Sequence, residues 1–145
     1  MVRHIRNKDL LFRRIADVRE GEDFILVTMK DSGVRAYLVE PFVPDMGILS
    51  PLNNHDCCFL VCYNTPENLD FLIVNWDALV KFKRNFCMIF VNPFSTTDKK
   101  WAVYPATHDI ITERPALKSG LQVLFSTVDK TTKEEIERIV KKEQD

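Results

Sequence analysis

The strongest hydrophobic pattern lies between Cys57 and Phe94, where two unbroken apolar runs, Cys57 to Tyr63 and Phe86 to Val91, flank a segment with helical periodicity. Unbroken apolar runs of this length, bounded by turn signals, predict buried strands. Between them Thr65-Pro66-Glu67 marks a helix start: an N-cap hydroxyl, proline at the first helical position and an acid in the first turn. The helix is predicted from Pro66 to about Arg84, with Leu69, Leu72, Ile73, Trp76, Leu79 and Val80 on one wide face. Phe71, Val74 and Phe82 fall outside that stripe, and Lys81, Lys83 and Arg84 sit in the last turn, opposing the helix dipole.

Upstream, Leu11, Ile15 and Val18 recur at helical spacing and predict a first helix over Asp9 to Arg19. Glu22 to Lys30 and Val34 to Glu40 alternate as strands, and Asp31-Ser32-Gly33 suits the turn of a hairpin. Both faces of the first of these strands are apolar, which predicts an interior position in the sheet. Residues 41–54 mix Pro41, Pro44, Gly47 and Pro51 with Phe42, Val43, Met46, Ile48, Leu49 and Leu52. A connection that long is expected to fold back on its own apolar side chains; the sharper alternative is a contact surface.

A second hairpin is predicted between Cys87 to Val91 and Trp101 to Tyr104, through the polar turn Ser95 to Lys100. Residues Pro115 to Val128 carry Leu117, Leu121, Leu124, Phe125 and Val128 at helical spacing; Gly120 and the β-formers after it favour a strand. Helix is the preferred reading. Thr131 and Glu134 form a capping box ahead of a charged helix with a narrow stripe of Ile136, Ile139 and Val140. The predicted order is α-β-β-β-α-β-β-α-α. This is an α+β domain, a mixed sheet of about five strands with helices packed on it.

A length of 145 residues fits one domain with a real core, and 46% hydrophobic with 28% charged residues excludes a disordered chain. A net charge of -1 gives no global attraction to nucleic acid or acidic membranes, so any such binding needs a local patch. The polar, basic start Met-Val-Arg-His-Ile-Arg-Asn-Lys has no apolar stretch behind it, and no run approaches a membrane span. A cytoplasmic location and no membrane partner are the expectation. The cysteines lie in strand-like runs, so they are expected to be reduced, buried thiols.

Chemistry is sparsely marked. His55-Asp56-Cys57-Cys58 with Cys62 has the residue types of a metal cluster. Cys58 and Cys62, however, stand roughly 13 Å apart along one strand at ~3.3 Å per residue, too far for one ion. No metal and no cofactor are expected. His108 and Asp109 follow a strand and offer a base with an orienting carboxylate, in a predicted loop at the sheet edge. With Glu40 and Asp56 they make up the candidates for a metal-dependent hydrolase, although no motif demands that the four converge. The element order also resembles that of restriction-endonuclease-like folds, with Glu40 standing for the first acid and Asp56 at the start of the next strand. The lysine that family requires is missing, because Cys58 to Cys62 is wholly apolar, so the resemblance stops at topology. The isolated glycines Gly21, Gly33, Gly47 and Gly120 provide no phosphate-binding loop.

Basic residues concentrate twice. Arg6 precedes the predicted N-terminal helix, Arg13 and Arg14 lie within it, and Lys99 and Lys100 precede Trp101. Cations beside aromatics bind phosphate and stack bases. A non-enzymatic module that binds a macromolecule is therefore the expected function, with nucleic acid the partner the residues support. A protein-interaction or oligomerisation domain is the alternative, and a hydrolase ranks last.

Overall fold

The computed structural model describes residues 15–21, 24–31, 33–95 and 99–144. Six strands form one mixed sheet in sequence order: β1 (Ile15–Glu20), β2 (Ile25–Met29), β3 (Val34–Val39), β4 (Cys57–Tyr63), β5 (Asn85–Val91) and β6 (Lys100–Val103). The β1-β2-β3 meander and the β5-β6 hairpin are antiparallel, while β3, β4 and β5 run parallel. A 3-10 helix, Met46–Leu52, lies in the first parallel crossover, and α1 (Pro66–Val74) with α2 (Trp76–Phe82) forms the second. Three helices complete the α+β fold: α3 (Pro105–Ile111), α4 (Arg114–Ser126) and α5 (Lys133–Gln144).

Strand alternation splits the apolar residues between two faces. Ala36, Leu38, Cys58, Leu60, Cys62, Phe86, Met88, Phe90, Trp101 and Val103 point to the main core. There they meet Leu49 and Leu52 of the 3-10 helix, Leu69 and Leu72 of α1, and Leu121 of α4. Both crossovers therefore cover the same face, and the 41–54 connection is packed into the core. On the other face Phe59, Val61, Cys87 and Ile89 form a second cluster with Tyr37, Cys57 and Val91, which no described helical side chain joins.

Several sequence expectations need correction. Ile15–Glu20 is a strand, not the end of a helix; residues 9–14 lie outside the described residues. A bulge between Ile15 and Asp17 inserts one extra residue, so Ile15 and Val18 oppose Met29 and Val27, which share a face. An i, i+3 spacing that imitates a helix is thereby satisfied in a strand. This added edge strand puts β2 inside the sheet and raises the strand count to six.

The helix predicted over residues 66–84 breaks at Asn75. Its side-chain Nδ2 donates to the carbonyl of Phe71 at 2.9 Å, and its own backbone (φ -99°, ψ 16°) leaves the helical region. His108 and Asp109 are not in a loop but on α3, which starts at Pro105. The helix escapes a periodicity search because Pro105 is its one buried residue, and Ile110 and Ile111 are both exposed. Residues 114–126 are helical, as preferred. The last helix is capped one residue later than expected: Thr132 Oγ1 accepts from Glu135 N–H at 3.2 Å, whereas Thr131 is buried and donates its N–H to the Asn64 carbonyl. Among the described residues, no helix is long and apolar enough to cross a membrane.

Candidate nucleic-acid interface

The parallel strands gather their carboxyl ends on one edge of the sheet. Here the edge carries three aromatic rings. Tyr63 ends β4, and its ring meets Phe42 from the connection after β3 at 5.7 Å and Phe94 from the turn after β5 at 6.0 Å, both edge to face. Phe94 is 37% exposed; Phe42 and Tyr63 are half-buried.

Three asparagines hold these rings. Asn68, in the first turn of α1, is buried; its Nδ2 donates to the carbonyls of Pro41 and Tyr63, both at 2.8 Å, and its Oδ1 accepts from Val43 N–H at 3.0 Å. That fixes the backbone on both sides of Phe42. Asn92 Oδ1 accepts from Phe94 N–H at 3.0 Å, while its Nδ2 donates to the Asp129 carbonyl at 2.9 Å. Asn64, directly after Tyr63, is fully buried and donates through Nδ2 to the carbonyls of Phe125 and Val128, at 3.2 and 3.0 Å. The amides of Asn64 and Asn68 replace water for backbone groups that would otherwise be orphaned, while Asn92 bonds at the exposed surface. The edge is thus preorganised.

Of the residues expected to bind nucleic acid, Lys99 and Lys100 are exposed, and Lys100 pairs with Val91, itself the partner of Tyr63. They stand beside the aromatic edge. Trp101 does not fit its expected role. It is 5% exposed, stacks on Phe90 with centroids 4.0 Å apart, and donates from Nε1 to Asn64 Oδ1 at 2.7 Å. Alternation along β6 turns it into the core, so no base can stack on it. Arg6, Arg13 and Arg14 lie outside the described residues. Sequence reading missed Phe42, Tyr63 and Phe94; the available signal was an aromatic at or just past the end of each parallel strand, with Asn64 next to Tyr63 and Asn92 two residues before Phe94.

The hydrolase candidates do not assemble. β3 and β4 are parallel, with Val39 opposite Val61 and Arg35 opposite Cys57. Glu40 therefore lies at the carboxyl end, level with Cys62, and Asp56 at the amino end. Their backbones are separated by roughly 20 Å, at ~3.3 Å per residue. The ring Nδ1 of His108 lies against the backbone of Tyr104, 3.1 Å from its oxygen. Asp109 accepts from the Trp76 indole at 3.0 Å and from Arg114 Nε at 2.8 Å. Arg114 also reaches Asp77 at 2.7 Å, clamping α2, α3 and the start of α4. The indole donor and the guanidinium hold the Asp109 carboxyl below its ordinary range. Among the described residues, no group of three or more histidines, cysteines or acids gathers to hold a metal.

The thiols are free. Burial pushes Cys58 up to about 11, Cys87 to about 12 and Cys62 well above the ordinary value. Burial keeps Cys58, Cys62 and Cys87 protonated near neutral pH.

No protein-family model, curated protein or solved structure matches this chain.

Proposed function

We propose that this chain is a non-enzymatic module that binds nucleic acid at the carboxyl edge of its parallel strands. The observation that carries the reading is the Phe42–Tyr63–Phe94 trio, held by three asparagines and flanked by Lys99 and Lys100. Aromatic faces stack bases, and neighbouring ammonium groups displace counterions from phosphate. Against an enzyme stands the engagement of the acid/base candidates: Asp109 is committed to Trp76 and Arg114, and His108 to Tyr104.

Gel retardation at low salt on mixed single-stranded and duplex DNA and RNA tests this. Binding is expected, and Lys99→Glu with Lys100→Glu should abolish it. No retarded band on any of these probes removes the reading.

One observation favours a second reading, a protein-interaction domain. Ile110 and Ile111 at the end of α3 are 83% and 74% exposed, and consecutive bare isoleucines suit a protein interface better than solvent. Concentration-dependent sedimentation that Ile110→Asp removes would favour self-association over nucleic-acid binding.

A further inference from the structure

We infer that β1 pairs edge to edge with β1 of a second copy of this chain, antiparallel and centred on Val18. β1 ends the strand order, and among the described residues no strand pairs with its outer side. The ladder shows which groups face outward. Gly21 N–H donates to the Phe24 carbonyl at 2.8 Å, and hydrogen-bonded and non-hydrogen-bonded pairs alternate along an antiparallel ladder. Arg19 with Leu26 and Asp17 with Thr28 are then hydrogen-bonded pairs, whereas Val18 with Val27 and Glu20 with Ile25 are not. Val18 and Glu20 therefore turn their backbone N–H and C=O away from β2, a template for another strand. This edge lies across the sheet from β6, so the inference stands apart from the nucleic-acid reading.

Charge selects the partner and the register. Asp17 and Arg19 project from one face of β1, with side chains 49% and 80% exposed. Outward backbone groups can meet only outward groups, so the two-fold axis must fall on a residue. An axis through Asp17, Arg19 or Glu20 would set identical charges opposite each other, which destabilises a strand pair. An axis through Val18 sets Asp17 opposite Arg19 of the second copy, and Arg19 opposite its Asp17. Those are non-hydrogen-bonded pairs, in which facing side chains stand closest. Within the chain Arg19 Nε already bonds Asp17 Oδ2 at 2.9 Å, so two copies join these charges into one network of alternating sign. Charges that guard an edge against other strands thus admit its own copy. The bulge between Ile15 and Asp17 keeps the paired stretch short, which makes the dimer weak and reversible.

Sedimentation velocity over a concentration series, with melting temperatures measured alongside, tests this. The wild-type chain is expected to pass reversibly from monomer to dimer. Asp17→Arg and Arg19→Asp should each weaken the dimer at least about tenfold, because each sets like charges opposite one another. Melting temperatures should change little, since both side chains are exposed. An equimolar mixture of the two variants should recover wild-type association, because every arginine then meets an aspartate across the axis. Ile110→Asp should leave the dimer intact. A wild-type chain that stays monomeric throughout the series overturns the inference, as does wild-type association in both charge variants. A mixture that fails to recover the dimer also overturns it. Loss of the dimer in Ile110→Asp would assign the contact to α3 and overturn the pairing at β1.

Discussion

The indole of Trp101 donates to Asn64 Oδ1 at 2.7 Å, between two side chains that are both buried. Asn64 in turn donates to carbonyls of the Phe125–Asp129 segment. One amide thus joins β4, β6 and the end of α4.

Asn64→Ala should cost several kcal/mol, because it strands the buried Trp101 N–H and Val128 carbonyl at about 1–3 kcal/mol each and frees the half-buried Phe125 carbonyl. Trp101→Phe keeps the stack on Phe90 and loses the donor, so a smaller loss of about 1–3 kcal/mol is expected. Urea unfolding of both variants checks the ranking. An Asn64→Ala protein as stable as wild type would refute the role given to the amide.

Leu72 is fully buried in the main core, and Leu72→Ala should destabilise by about 2–5 kcal/mol. Val74, two residues later, is 81% exposed, and Val74→Ala should change stability by no more than about 0.5 kcal/mol. Equal effects in thermal unfolding would show that the helix is turned differently on the sheet.

The fold was legible where local pattern and tertiary placement agree. The apolar runs of β4 and β5 match buried central strands, and Thr65-Pro66 starts α1 as its chemistry dictates, with Thr65 Oγ1 accepting from Asn68 N–H. Pattern failed where a long-range partner decided the outcome. Ile15 and Val18 read as helix until the bulge opposite β2 is known. Thr131 reads as the cap until Asn64 claims its backbone, moving the cap to Thr132. The site was less legible. Lys99 and Lys100 stand beside the aromatic edge, but the aromatic next in sequence, Trp101, faces inward. The rings beside them in space come from residues 42, 63 and 94, which only the parallel register brings together.

Thiol labelling gives a clean check on the cysteines. Cys58, Cys62 and Cys87 are buried, with burial raising each thiol, so a thiol reagent at pH 8 should modify them only as fast as the protein unfolds. The sign for stability follows. These groups are neutral in the fold and ionise near the ordinary 9.0 once exposed. Their contribution is fully present below pH 9 and is lost as pH rises from 9 toward about 12. Cys87→Ala should flatten that alkaline decline in a melting profile. Fast labelling of all four thiols in the native protein would contradict the burial.

Asp109 works in the opposite direction. Its carboxyl is held below the ordinary 3.8 by Trp76 and Arg114, so the clamp is intact above pH 4 and is lost as pH falls through the lowered folded value. Asp109→Asn should therefore remove part of the acid sensitivity of the melting temperature and leave its value above pH 9 following the thiols. An unchanged acid limb would mean the carboxylate adds nothing to holding α2 against α3.

The Asn64 junction also sets an order of events during synthesis. Its acceptors lie 61 to 65 residues further along the chain, so when β4 leaves the ribosome the amide has nothing to bond. The parallel pair β4–β5 can form early, but its carboxyl edge stays unsealed until the stretch around Val128 to Thr131 arrives and docks. A nascent chain stalled before that point exposes a wet, unlocked edge at the place where the aromatic trio stands. The binding proposed for this edge would be a property the chain acquires only in its last steps of folding.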